Sequence, residues 1–179
     1  LGATIEDRDA LGYTALATAA EWGRVEVVKA LLARGADISA PNKRGMPVLI
    51  VACMYDEENM SAHDKAATVR LLLEAGADPA ARITQSSEPY PDTGCTALHI
   101  AAQGGNLGAI EVLLESGRVD IEAATEQGCR PLHQAAGFDE ESSPGALLVL
   151  LEAGADSNAT LPCGATALHL AARWVLPLQ

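Results

Sequence analysis

The stretch that decides the fold is GCTALHIAAQGGNLGAIEVLLESGRVD, residues 94–120. A glycine opens it, a short Leu-x-x-Ala-Ala run follows, and a second apolar run closes on Gly117. The opening segment recurs as GYTALATAA from Gly12, GCRPLHQAA from Gly128 and GATALHLAA from Gly164, with a weaker copy, GMPVLIVAC, from Gly45. The second run recurs as VVKALLARGAD (27–37), TVRLLLEAGAD (68–78) and ALLVLLEAGAD (146–156). In this run Val27, Val28, Leu31 and Leu32 form a broad apolar stripe at helical spacing. The opening glycines stand 33, 49, 34 and 36 residues apart, a basic period of 33 with insertions. One such unit cannot bury its stripe alone, so stacking of units must make the core continuous.

Composition narrows the partners. The 179 residues are 49% hydrophobic and 20% charged, which excludes disorder by composition. Aromatics are only 3%, so the core must be built from Ala, Leu, Val and Ile. Twelve Lys and Arg against 24 Asp and Glu give a net charge of −12, with a pI near 4.6. That charge disfavours a nucleic-acid backbone or an anionic membrane and favours a cationic partner. No apolar run is long enough to insert into a membrane. The four cysteines, Cys53, Cys95, Cys129 and Cys163, form no CxxC and read as free thiols of a cytoplasmic or nuclear protein. The chain starts without Met or a signal-peptide pattern and is expected to be a monomeric piece of something longer.

The 33-residue period, with T-A-L-H or P-L-H, an Ala-Ala pair and L-L-x-x-G-A-D, resembles the ankyrin repeat over essentially the whole chain. The resemblance implies an all-α solenoid, each unit a β-hairpin loop followed by two antiparallel helices. It implies a single array over 1–179. Residues 1–8 would be the tail of a preceding repeat, followed by repeats at 9–41, 42–90, 91–124 and 125–160 and a partial fifth at 161–179. The second of these carries inserted loops. The residues support the same architecture. Thr14, Thr96 and Thr166 stand where a hydroxyl caps the first helix, and Pro131 where a missing N–H costs nothing. Leu16, Leu49, Leu98, Leu132 and Leu168 should point inward, and the Ala pairs let helices approach closely. Gly35, Gly76 and Gly154 should end the second helices with a positive φ. Leu1, Leu176 and Leu178 either fray or are covered by further chain.

The copies differ from one another. The second has Pro47 and Ile50 in place of Thr and His. About eight residues are inserted between its helices, within 54–65, and eight more in the hairpin at 82–93. The fourth gains three within 138–145. Insertions in solenoids often build out a binding face, and drift alone also produces them.

Three residue sets bear on function. The resemblance makes His99, His133 and His169 structural, each ring tying hairpin to helix, with Thr96 and Thr166 beside two of them. Arg130 replaces the Thr before His133, which should weaken that network. His63, Asp64, Asp56, Glu57 and Glu58 lie close in sequence but lack ligand spacing, and no phosphate loop, nucleophile elbow or H-E-x-x-H occurs. No catalytic residue, metal or cofactor is expected.

The aromatic residues are the informative set. Ten residues after the opening glycines stand Trp22, Tyr55, Gly104, Phe138 and Trp174, so four of the chain's six aromatics share one position. In ankyrin domains this position faces the concave groove, as does the residue before it: Glu21, Met54, Gln103, Gly137 and Arg173. Tyr13 and Met46, just after their glycines, fall on hairpins above the same groove. Glu21, the acids 56–58 and Asp139, Glu140 and Glu141 flank the rings, and rings with carboxylates suit a Lys or Arg head group. Helix-end packing is the competing explanation. Asn158 stands in the hairpin LLEAGADSNA where asparaginyl hydroxylases modify ankyrin domains.

The leading expectation is thus a non-enzymatic scaffold that binds a protein or peptide, with a basic segment favoured, in an aromatic and acidic groove. An enzyme or enzyme-regulatory module with a site under the second repeat's insertions, and an architectural spacer, remain alternatives.

Overall fold

The computed structural model describes residues 4–54, 62–85, 93–137 and 143–173. These form α1 (Ala15–Glu21), α2 (Val25–Ala33), α3 (Val48–Cys53), α4 (Ala62–Glu74), α5 (Ala97–Gln103), α6 (Leu107–Glu115), α7 (Pro131–Ala135), α8 (Pro144–Glu152) and α9 (Ala167–Arg173). The odd-numbered helices pack in sequence, α1 on α3, α3 on α5, α5 on α7 and α7 on α9, as one layer. The even-numbered helices α2, α4, α6 and α8 stack as a second layer, each also packed on its own partner. Each unit touches its neighbours, as in a solenoid.

The local chemistry sets the boundaries. Thr14 Oγ1 accepts from Ala17 N–H at 3.2 Å and caps α1. Asn106 and Ser143 do the same for α6 and α8, accepting from Ala109 and Ala146. Pro131 opens α7. The Ala pairs at 19–20, 101–102 and 135–136 are buried, and they let the first-helix layer close without rings.

Among the described residues the hairpin loops carry no β-ladder, only the isolated bridges Arg8–Thr14 and Thr160–Thr166. A tight loop replaces it. Gly45 N–H donates to Asn42 O at 2.9 Å, and Asn42 N–H to Met46 O at 3.1 Å. Gly45 has φ +67°, and a Cβ there would run into Thr84 Oγ1 in the next hairpin. Gly35 has φ +81° with nothing within 4 Å. Gly45→Ala is therefore expected to cost about 2–3 kcal/mol, combining left-handed strain with overpacking, against about 1 kcal/mol for Gly35→Ala. Urea melts of the two variants check this, and equal costs would show that the hairpin contact is soft.

Two sequence expectations change. Part of the second repeat's insertion is helical: α4 begins at Ala62, ahead of the register position Ala66, and has 13 residues against nine in α2, α6 and α8. Its alanines favour helix, and Asp64 in the first turn complements the dipole. Leu168 does not point inward. It is 77% exposed, whereas Leu16, Leu49, Leu98 and Leu132 are 0–3% exposed. The inward position is buried by a second helix, and no described helix packs there on α9. Val27 is likewise 50% exposed, while its register equivalents Thr68, Ala109 and Ala146 are fully buried against a preceding unit.

Candidate protein-binding face

Three hairpins hold the residue after the glycine by a side-chain acceptor. Tyr13 N–H donates to Asp9 Oδ1 at 2.8 Å, Met46 N–H to Asn42 Oδ1 at 3.1 Å, and Cys129 N–H to Thr125 Oγ1 at 3.1 Å. Their side chains point into the array. Tyr13 is 8% exposed, Met46 1%, Cys95 2% and Cys129 0%. Tyr13 and Met46 are thus corrected from groove-lining residues to core residues. The hairpin twist that fixes the backbone amide turns this position inward. Burial raises the Tyr13 phenol above its usual pKa, and the Glu21 carboxylate adds to the shift.

The histidines join hairpin, helix and next repeat. Thr96 N–H donates to His99 Nδ1 at 3.1 Å, and Thr96 Oγ1 lies 2.9 Å from the same nitrogen. His99 Nε2 lies 3.1 Å from Cys129 O in the following unit. An amide N–H only donates and a carbonyl only accepts, so the ring is neutral with its proton on Nε2. Burial pulls His99 down to about 4. His133 repeats the arrangement, with Arg130 N–H at 3.2 Å and Ala159 O at 3.0 Å, and burial lowers its pKa as well. Arg130 lacks the threonine hydroxyl but keeps the amide bond. Its guanidinium pairs with Glu122, whose other oxygen accepts from Asp156 N–H at 2.8 Å. The lost contact is replaced by a bridge across the hairpins. His169 binds Thr166 N–H and Oγ1 at 3.3 and 2.8 Å and is exposed.

At the ends of the first helices the structure describes part of the aromatic set. Trp22 is the C-cap of α1 and is 42% exposed. Glu21 before it is half-buried, and Met54, the C-cap of α3, packs partly against the core. Gly104 is the C-cap of α5. Tyr55, Asp56, Glu57, Phe138, Asp139, Glu140 and Trp174 lie outside the described residues.

Sequence reasoning missed Lys65. It is 3% exposed, and its ammonium donates to Glu21 O at the C-terminal end of α1, where the helix dipole favours a cation. The signal was in the register: Lys65 occupies the position of Arg24, Asn106 and Ser143, where a second helix is capped. Because α4 starts a turn early, Lys65 is interior to the helix and its side chain crosses to the preceding repeat.

Asn158 is exposed, and its N–H donates to Asp156 Oδ1 at 2.9 Å. Ser39, Ala80 and Glu122 make the same bond to Asp37, Asp78 and Asp120. None of the four cysteines is in a disulfide. Cys53, Cys95 and Cys129 are buried and Cys163 is exposed, and burial pushes Cys53 up to about 12. Among the described residues no three His, Cys, Asp or Glu side chains converge as a metal site, and no helix is long and apolar enough to cross a membrane.

Two stacked helix layers and inter-repeat histidine bonds define a helical repeat protein. A sequence-family model described as ankyrin repeats (3 copies) matches residues 1–83 and 59–160, and the chain belongs to the ankyrin-repeat family. Human ankyrin repeat domain-containing protein 53 is 41% identical over 86 residues, 48% of this chain and 16% of that protein. The mouse B-cell lymphoma 3 protein homolog is 32% identical over 155 residues, 86% of this chain and 31% of its own length. The Arabidopsis thaliana E3 ubiquitin-protein ligase KEG is 31% identical over 150 residues, 80% of this chain and 9% of that protein. The chain thus spans less than a third of each of these relatives. Ankyrin repeats generally mediate protein–protein interaction and are typically non-catalytic.

Proposed function

We propose that this chain is a non-enzymatic interaction module that takes a basic segment of a partner protein along the groove at the first-helix ends. The observation that carries the reading is Trp22, a large ring left 42% exposed next to Glu21 in the sequence, in a chain with only five other aromatic residues. A cation over such a ring face, with a carboxylate alongside, gains from both. In the sequence register Tyr55 and Phe138 share the repeat position of Trp22, each followed by acids, so rings and carboxylates recur at repeat spacing. The net charge of −12 speeds encounter with a basic partner. Buried cysteines without disulfides suit a cytoplasmic or nuclear setting, and the exposed Asn158 side chain is accessible for hydroxylation.

The test is a pull-down with wild type beside a Trp22→Ala/Tyr55→Ala/Phe138→Ala variant whose helicity is checked by circular dichroism. Basic partners should be captured by wild type, weakened by salt, and lost at least about tenfold in the folded variant. Equal recovery of the same partners by both proteins would assign the rings to packing and sink the groove reading.

A further inference from the structure

Two kinds of contact join neighbouring units. Apolar packing is non-directional, whereas hydrogen bonds fix registry. Three pairs of successive hairpins share a backbone bond: Lys43 N–H to Leu11 O at 3.2 Å, Thr84 N–H to Gly45 O at 3.4 Å and Glu126 N–H to Thr93 O at 3.3 Å. Side chains then reinforce the junctions unequally.

Between α5 and α7, His99 Nε2 lies 3.1 Å from Cys129 O. Arg82 Nη1 adds a clamp, donating to Gly94 O in its own hairpin and to Ala124 O in the next, at 2.7 and 2.8 Å. Between α7 and α9, His133 Nε2 lies 3.0 Å from Ala159 O, and Glu122 accepts from Asp156 N–H. Between α1 and α3 the histidine is replaced by Ala17, but other ties stand in. Arg8 repeats the clamp of Arg82, donating to Gly12 O and Pro41 O. Lys43 Nζ donates to Ala10 O at 2.8 Å, and the buried Lys65 donates to Glu21 O.

The junction between α3 and α5 differs in its residue types. The clamp position of Arg8 and Arg82 holds Pro41, which has no side-chain donor. The Thr96 and His99 positions hold Pro47 and Ile50, so both the N–H and the ring of that tie are gone. Val48, Leu49, Ile50 and Val51 are all buried, and the contact they make is apolar. In the outer layer Arg70 pairs with Glu115 at 2.7 Å, but both side chains are exposed, and such a pair contributes little. Arg118 reaches Ala77 O at 3.4 Å, a long bond. We propose that the array flexes at this junction, with α1–α4 and α5–α9 moving as two blocks that slide on the apolar α3–α5 contact. Small sliding of packed helices is the shear type of domain motion. The first-helix face crosses the junction, so its curvature follows the motion. The inference goes beyond the groove reading and holds whatever the partner.

The test measures distances between nitroxide labels in the intact chain by pulsed electron paramagnetic resonance. Cys53, Cys95 and Cys129 are 0–2% exposed and resist labelling, whereas Cys163 is exposed. One pair joins Cys163 to Glu111→Cys, within α5–α9. The other joins Lys29→Cys to Glu111→Cys with Cys163→Ser, and crosses the α3–α5 junction. All introduced labels sit at exposed positions, and each pair spans two junctions. The crossing pair should give a distance distribution about twice as broad as the other. Pro41→Arg, at an exposed site, copies the clamp of Arg8 and should narrow the crossing distribution while leaving the other unchanged. Circular dichroism checks its fold. Equal widths for the two pairs, or a crossing width that folded Pro41→Arg leaves unchanged, would overturn the proposal. The comparison of the two pairs decides the matter even if Pro41→Arg misfolds.

Discussion

Replacing His99 with Ala is expected to cost about 3–5 kcal/mol and to lower the melting temperature by roughly 10 °C. The ring is fully buried and serves two backbone groups, Thr96 N–H and Cys129 O, the second of which also accepts from Thr125 N–H at 2.8 Å. Truncation leaves a cavity, takes the ring acceptor from the buried Thr96 N–H and removes the tie from helix to the next hairpin, and an unpaired buried donor is costly. His169→Ala should cost about 1 kcal/mol or less, because that ring is exposed and its described bonds go only to Thr166. Acid adds a second readout. His99 titrates at about 4 in the fold against about 6.5 unfolded, so between these values the unfolded chain binds more protons. Stability should therefore rise with pH across that window, by up to about 3 kcal/mol, and be lost as pH falls through it. His133, also lowered, contributes in the same direction. His99→Ala should flatten this acid slope as well as lower the plateau. Urea melts from pH 4 to 8 check both. A variant that loses stability yet keeps the full slope would assign the slope to carboxylates.

The fold was legible because the motif residues do local work that each repeat needs. Thr14, Thr96 and Pro131 stand at helix starts, and the glycines at 35, 76 and 154 have φ of +81°, +98° and +93° at helix ends. The binding face was less legible. Register alone says that Tyr13 and Met46 share a hairpin position, but not which way the twist turns it. The answer depends on Asp9 and Asn42 fixing the backbone. Lys65 was hidden because its register position usually holds a cap, and only the early start of α4 converts it into a buried cross-repeat contact.

Leu98 and Leu168 carry the same letter at the same motif position, and they should respond very differently to truncation. Leu98→Ala is expected to lose about 3–4 kcal/mol, the transfer free energy of the side chain plus a cavity, because the residue is 1% exposed between α5 and its neighbours. Leu168→Ala, at 77% exposure, should stay within about 0.5 kcal/mol. The difference isolates what stacking contributes, since motif and helix propensity are unchanged. A repeat array is stabilised by intrinsic unit terms and nearest-neighbour interface terms. A defect in the third repeat weakens the coupling on both of its sides, so Leu98→Ala should also broaden the urea transition, while Leu168→Ala should leave it sharp. Equal losses in the two variants would mean that the motif leucine acts within its own helix. The 33-residue unit would then be more self-sufficient than an ankyrin-type stack allows.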